Sequence, residues 1–463
     1  MRTRTSPSRA PERLAALVVL LGCASASLAW AGPEQQAEGS AEPRIDAWGP
    51  IESLDDRVLL TSEPSRARLA ERPVGPWRVR CARERPVCVH ARDSVGEAAL
   101  ERALSAANDG LRALSALGLP RPLEDGSGGG SPALDVYLDE RVERAEAYGD
   151  PGLWGTSWDR APAFVVAPSP PPGDCSGELE ITRGLVEASL LGLDAATDPS
   201  VLEAVSTHLG LLLSPCSTAE LARVDEAQRA PERALLESPA AFLYLRHLEE
   251  RWGSGRPGEL AFSMVAISAQ RSPASRALVD EPDVYDALRV TLRQNESSLP
   301  ATVLDYAVAR AFLGSRSDDA HLVDVARYGD LGRPRHEWAV PYDSLPRRLM
   351  PARPVDALGA TYVWVDLASA PLDSELTVVA EWEEPVSFRW ALVLVDGGGA
   401  ELSRTEVAPV FGETRMEKTL RKLGGAGGVL IVGLNEGEAR RDAPLDPSRS
   451  GPGPRMYQLT LYR

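Results

Sequence analysis

The hydrophobic spacing of this chain changes period once, beyond residue 313, and that change limits its architecture more than any other feature. From Cys175 to about Leu313 apolar residues recur at helical spacing. From Thr361 onward they alternate, or run continuously in short segments bounded by Gly and Pro. Helices are expected near 177–192, 199–213, 217–229, 239–251, 257–270, 282–294 and 300–313. Asp198-Pro199, Ser238-Pro239 and Leu299-Pro300 each set Pro in a helix first turn, where its missing N–H costs nothing. After a long loop, strands are expected at Thr361–Leu367, Leu376–Trp382, Ser387–Asp396, Glu401–Val407, Met416–Leu420, Val429–Leu434 and Tyr457–Tyr462. So many short strands over so short a stretch indicate an antiparallel β-sandwich.

Ahead of the helices the pattern is mixed. Trp77–Cys81 and Val87-Cys88-Val89 read as two short strands joined by a charged turn. Ser94 and Glu97 have the spacing of a capping box, followed by Leu100, Leu104, Leu111 and Leu114 on one helical face. Leu134, Val136 and Leu138 alternate as in a strand, and Ala163–Ala167 is a fully apolar one. The expected class is therefore α+β: a small mixed sheet with a helical bundle, followed by an antiparallel β-sandwich. The expected segments are a signal peptide over 1–31, a polar tether over 32–45, and an α/β subdomain over 46–175. A helical domain over 176–345 and a β-sandwich over 346–463 complete the chain.

Arg2, Arg4, Arg9 and Arg13 precede the apolar run Leu14–Leu21 and then small residues, the layout of a bacterial secretory signal. Two processing sites compete. Ala29-Trp30-Ala31 fits cleavage before Gly32, whereas Leu20-Leu21-Gly22-Cys23 is close to a lipobox, in which Cys23 would carry the lipid. The lipobox departs from pattern at Leu21, where a small residue is usual, and is taken slightly ahead. No later segment approaches the ~20 apolar residues of a membrane span, so membrane contact is expected only through a lipid anchor. The remaining cysteines, Cys81, Cys88, Cys175 and Cys216, are even in number and suited to an oxidising compartment. Three pairings are open to them, and locality favours Cys81–Cys88 with Cys175–Cys216.

A formal charge of −17 argues against a nucleic-acid partner. Of the 50 basic residues only Lys418 and Lys422 are lysines. The arginines are scattered through every segment, as a GC-rich genome would place them, rather than gathered into a phosphate-binding patch.

A small sheet with an apolar strand, then a helix pair, then a bundle, resembles the gluzincin-type zinc proteases. The chain is similar to metalloprotease-like secreted proteins of high-GC Gram-negative bacteria, many of which add a C-terminal β-sandwich. The resemblance implies a first helix bearing H-E-x-x-H, with two metal ligands one turn apart and a general base between them, and a Glu on the second helix as third ligand. Ile181-Thr182-Arg183-Gly184-Leu185-Val186-Glu187-Ala188 is the best register. It places Arg183 and Glu187 at the histidine positions and Gly184 at that of the base, while Glu203 keeps the third-ligand place. A cation repels Zn²⁺ and a glycine accepts no proton. Arg183 and Glu187 are instead spaced for an ion pair on the helix surface. No catalytic residue, metal ligand or cofactor is therefore assigned.

The other constellations carry little. Of the five histidines, His90, His208, His247, His321 and His336, none belongs to an H-x-x-x-H. His208 is expected to pack in its helix and bond a backbone carbonyl. Asp318, Asp319, His321 and Asp324 form a polar loop that is either a solvated turn or a divalent-cation site. Trp154 and Trp158 are either a ligand platform or, as favoured, buried caps of the sheet edge. Trp364, Trp382 and Trp390 are expected in the core or packed on a sandwich face. The expected role is that of a non-catalytic envelope or secreted protein with an envelope or extracellular partner. An active hydrolase with an unrecognised site and an adhesive β-sandwich module are the alternatives.

Overall fold

A cystine hairpin opens the described part of the chain: β1 (Arg78–Cys81) pairs antiparallel with β2 (Val87–Ala91), and Cys81 lies directly opposite Cys88. The two are bonded, with their Cα atoms 4.0 Å apart. The computed structural model describes residues 68–150, 160–169, 175–253, 255–268, 283–318, 320–323, 325–410, 412–437 and 453–463. Those residues all fall in one compact unit, Ile45–Arg463. The signal peptide, Cys23, the tether, Trp154, Trp158, Asp319 and Asp324 lie outside them.

β3 (Leu134–Asp139), β4 (Glu146–Gly149) and β5 (Ala163–Pro168) complete a sheet of order β1-β2-β3-β5-β4. It is mixed: β2, β3 and β5 run parallel, and β4 closes the edge antiparallel to β5. Val89, Val136 and Val165 face the helices, while on the opposite face His90 stacks on Tyr137 and Tyr137 meets Phe164 edge-on. The first helix, α1 (Glu97–Ala116), covers the former face but starts differently from expectation. Gly96 is its N-cap and no side chain caps it. Glu97 is drawn instead to β1, where it meets Arg78 and Arg80 at 3.0 Å each, so the capping box does not form.

Among the described residues seven further α-helices follow: α2 (Cys175–Leu191), α3 (Pro199–Leu213), α4 (Ser217–Arg229), α5 (Phe242–Trp252), α6 (Glu259–Ser268), α7 (Val284–Gln294) and α8 (Leu299–Arg310). Asp198 caps α3 by accepting from Ser200 N at 2.8 Å, with Pro199 behind it. Ser298 caps α8 in the same way ahead of Pro300. Ser238-Pro239 does not open a helix; it forms a turn closed by Ala241 N to Ser238 O, and α5 begins at Phe242. The second disulfide joins Cys175, at the start of α2, to Cys216, the N-cap of α4, and so clamps the α2–α3 hairpin at its open end.

The C-terminal part is two packed sheets. One has the order β11-β10-β13-β8-β6 and the other β12-β9-β14-β7. Their strands are β6 (Trp338–Pro341), β7 (Arg347–Leu349), β8 (Ala360–Asp366), β9 (Glu375–Trp382), β10 (Ser387–Val395), β11 (Glu401–Val407), β12 (Arg415–Arg421), β13 (Gly428–Gly437) and β14 (Tyr457–Tyr462). β6 and β7 fall where a loop was expected, and β6 joins β8 in parallel, the one departure from antiparallel pairing among the described strands of these two sheets. Val363, Phe388, Trp390 and Ile431 meet Val378, Trp382 and Leu459 between the sheets. The other face of the five-stranded sheet is also covered. Tyr362, Val393 and Val432 belong to the core of the helical region, and the Tyr362 hydroxyl donates to Ala307 O at 2.7 Å. Double burial explains why β13 reads as an apolar run instead of alternating.

Candidate functional site

α2 is buried along almost its whole length, including polar residues that a surface helix would turn to water. Gly184 faces β5, and a Cβ there would meet Val165 Cγ1 at 2.3 Å. Arg183 lies against α3, where Gly210 makes room for it; a Cβ on Gly210 would come within 2.7 Å of Arg183 Cγ. The glycine at 184 is thus required by helix–sheet packing, and a carboxylate at that position would have to enter the sheet.

Arg183 and Glu187 are not a surface pair. Both are fully buried, at 1% and 0% exposure. The Arg183 guanidinium donates to Glu180 at 2.6 Å and to Glu187 Oε1 at 3.4 Å. Glu187 Oε1 also accepts from Ser206 Oγ at 3.0 Å, while Oε2 accepts from Arg68 at 3.0 Å and from Ala147 N at 2.9 Å. Four donors occupy the roughly four lone-pair sites of a carboxylate, and none is left for a metal. Glu180 accepts from Ala145 N at 2.8 Å and from Arg223 at 3.3 Å. Glu203 joins the network only at its rim, through Arg144 at 2.7 Å and Arg223 at 3.3 Å.

Three carboxylates and four guanidiniums therefore fill the space between β4, α2, α3 and α4. Burial alone would lower the Arg183 pKa, but Glu180, Glu187 and Glu203 outweigh it and hold the guanidinium charged. Burial would likewise raise Glu203, yet Arg183, Arg144 and Arg223 keep it below the ordinary carboxylate range. Of the residues singled out by the motif, Arg183 and Glu187 are brought together, Glu203 is linked to them through Arg223 and Glu180, and Gly184 faces away. Among the described residues no group of three or more His, Cys, Asp and Glu is arranged to hold a metal ion.

Arg68, Arg144, Glu180 and Arg223 carry no motif and were not singled out by the sequence. Arg68 belongs to a segment that also closes the sheet edge. Gly149 N donates to Arg68 O at 2.8 Å and Ala70 N to Gly149 O at 3.2 Å. With Ala145 and Ala147 bonded to glutamates, the outward N–H groups of this edge are satisfied within the chain, which blocks strand addition there. Further along, Arg72 meets Asp150 at 3.0 Å and also Asp125 and Asp135, and His90 Nε2 lies 2.7 Å from Asp135.

His208 bonds Glu249 Oε2 at 2.9 Å instead of a backbone carbonyl, because α5 brings that carboxylate alongside α3. This pair lines an open cleft of about 610 Å³ between α3, α4 and α5, floored by Leu211, Leu212 and Phe242. In the polar loop, His321 directs Nδ1 at Asp318, 2.8 Å away, and Nε2 at Glu401 on β11, 2.7 Å away. An imidazole set between two carboxylates donates from both nitrogens, so it has no lone pair for a cation and serves to dock the loop on β11. Trp382 and Trp390 are in the inter-sheet core, whereas Trp364 is half-buried on the other face.

No family model and no curated protein matches the chain. Solved structures align with about a quarter of it. The pre-peptidase C-terminal domain of collagenase from Bacillus anthracis aligns over 28% of this chain and 98% of its own, with 8% identity and a TM-score of 0.19. The Yersinia pseudotuberculosis-derived mitogen aligns over 26% and 86%, with 12% identity and a TM-score of 0.17. The lectin binding domain of lectinolysin aligns over 26% and 92%, with 11% identity and a TM-score of 0.15. Likeness at this level carries no argument about what the chain does.

Proposed function

We propose that this chain is a non-catalytic extracytoplasmic protein, built on a zinc-metalloprotease-like scaffold, with a binding or structural role in the envelope or outside the cell. One observation carries the reading. The helix pair that resembles a metalloprotease centre is packed with a buried Arg–Glu network, and Glu187 has all its acceptor sites taken. Two disulfides support an oxidising compartment. For a binding role, the cleft beside His208 is of a size typical of ligand sites. The test is the metal content of protein expressed in a periplasm, read by inductively coupled plasma mass spectrometry alongside hydrolysis of denatured casein. Zinc well below stoichiometric, with no chelator-sensitive hydrolysis, is the expected result. Near-stoichiometric zinc whose removal abolishes proteolysis would overturn the proposal.

A further inference from the structure

At the margin where β8 leaves the helical core, three basic side chains meet without a carboxylate to balance the innermost one. Arg316 stacks its guanidinium over the Trp364 ring, 5.0 Å from the centroid. His336 lies nearly parallel to the same ring, with centroids 6.1 Å apart. Arg333 is anchored nearby by donating to Ser315 Oγ at 2.7 Å and by a looser, exposed pair with Asp330 at 3.4 Å. The Trp364 ring in turn rests on Gly428, where a Cβ would approach the ring within 2.1 Å.

Arg316 differs from the ion-paired arginines that hold this fold together, and from Arg310, whose guanidinium donates to Gln228 Oε1 and Ala227 O. Arg68, Arg72, Arg183, Arg223 and Arg404 each reach at least one carboxylate. Among the described residues the one partner of the Arg316 guanidinium is the Trp364 ring. On the nearby turn between β10 and β11, Asp396 turns Oδ1 to Gly398 N and Ala400 N, each at 2.8 Å, and forms no ion pair with Arg316. Beside Arg316, the buried Ser317 hydroxyl has no hydrogen-bond partner either. In a chain of net charge −17, a half-buried guanidinium without a carboxylate and next to a second one presents donors that an anion would complete.

We propose that Arg316, Arg333 and His336, on the Trp364 platform, form a binding site for an oxyanion of the phosphate or sulfate class. A tetrahedral oxyanion presents enough acceptors to take a planar guanidinium in two-point contact and a second donor group at once. The electrostatics agree with the geometry. Burial, with Arg316 and Arg333 nearby, pushes the His336 imidazole down to about 4, so it is neutral at pH 7 in the empty site. Burial and Arg333 lower Arg316 as well. A bound dianion reverses the repulsive contributions, and by linkage the His336 pKa must rise as the site fills.

The test is a titration of the full mature protein with inorganic phosphate, and separately with sulfate, at constant ionic strength. Calorimetry gives the affinity, and the His336 ring resonance is followed by NMR against pH. Saturable binding with an upward shift of the His336 pKa by a unit or more is expected. Arg316→Ala should weaken it at least tenfold and Arg316→Lys less. Arg333→Gln, at an exposed side chain, gives a second reading should the Arg316 variants be poorly folded. Sedimentation with phosphatidylglycerol vesicles, competed by free phosphate, tells a lipid headgroup from a free anion as source of the same chemistry. No saturable binding, or binding that survives both Arg316→Ala and Arg333→Gln unchanged, would overturn the assignment.

Discussion

Replacing Arg183 by methionine removes a guanidinium from between Glu180 and Glu187 and leaves both carboxylates buried. Breaking a buried pair from one side costs about 3–5 kcal/mol, whereas an exposed pair at the same spacing contributes roughly 0–1. Arg183→Met is therefore expected to lower the unfolding free energy by about 3–5 kcal/mol, measured by urea denaturation; a loss under about 1 would mean the side chain is solvated. Gly184→Ala places a methyl against Val165 and should lose about 1–3 kcal/mol. Glu203, with a third of its side chain exposed, should lose under about 1 when changed to Ala. The sequence showed the pairing of Arg183 with Glu187, because residues four apart share a helix face. It did not show the burial, because Arg68 lies 119 residues from Glu187 and Ser206 lies 19 away, and neither belongs to any local pattern.

At the scale of elements, the α2–α3 hairpin depends on packing at its sheet-facing side and on Cys175–Cys216 at its open end. The bridge closes a separation of 41 residues, for which the chain-entropy model gives on the order of 4 kcal/mol. Cys175→Ser with Cys216→Ser should lower the thermal midpoint clearly, while Cys81→Ser with Cys88→Ser, closing a separation of 7, should lower it less. Equal midpoints for both double variants would contradict this ranking. The helices and the long strands were legible because period and Pro/Gly punctuation are local. β4, β6 and β7 were not: each has at most four residues, and each exists only because a neighbouring strand supplies its partner. The same limit hid the edge closure by residues 68–70, which depends on Gly149 from a distant part of the chain.

Over the whole molecule, a charged seam holds β11 to the helical region. Asp305 on α8 meets Arg404 at 2.6 Å and Arg251 at 2.8 Å, Arg404 meets Glu401 at 2.8 Å, and Glu401 meets His321. Burial would raise the Asp305 and Glu401 carboxyls, but His247, His321, Arg251 and Arg404 hold both down to about 2. A depressed acid stabilises the fold above its unfolded value, near 4, and that contribution is lost as pH falls toward 2. Burial would lower His321, yet Glu401 and Asp318 raise it above 6.5. A raised base contributes fully below its unfolded value and loses that contribution as pH rises through the folded one. The seam's own contribution should therefore be greatest between about 4.5 and 6.5, and His321→Gln should flatten the decline on the alkaline side and, by leaving Glu401 with Arg404 alone, shrink the acid-side loss as well. An alkaline limb identical in the two proteins would remove His321 from the seam.

A buried Arg–Glu network, in which Glu187 has all its acceptor sites engaged, holds the α2–α3 pair together. Equilibrium urea unfolding of the natural protein, in chelator and in excess zinc, tests it most directly. A metal that binds only the folded state must raise its stability, by about 2.7 kcal/mol at a hundredfold excess over Kd. Superimposable curves under the two conditions are predicted; a midpoint that rises with zinc and falls with chelator would contradict the account.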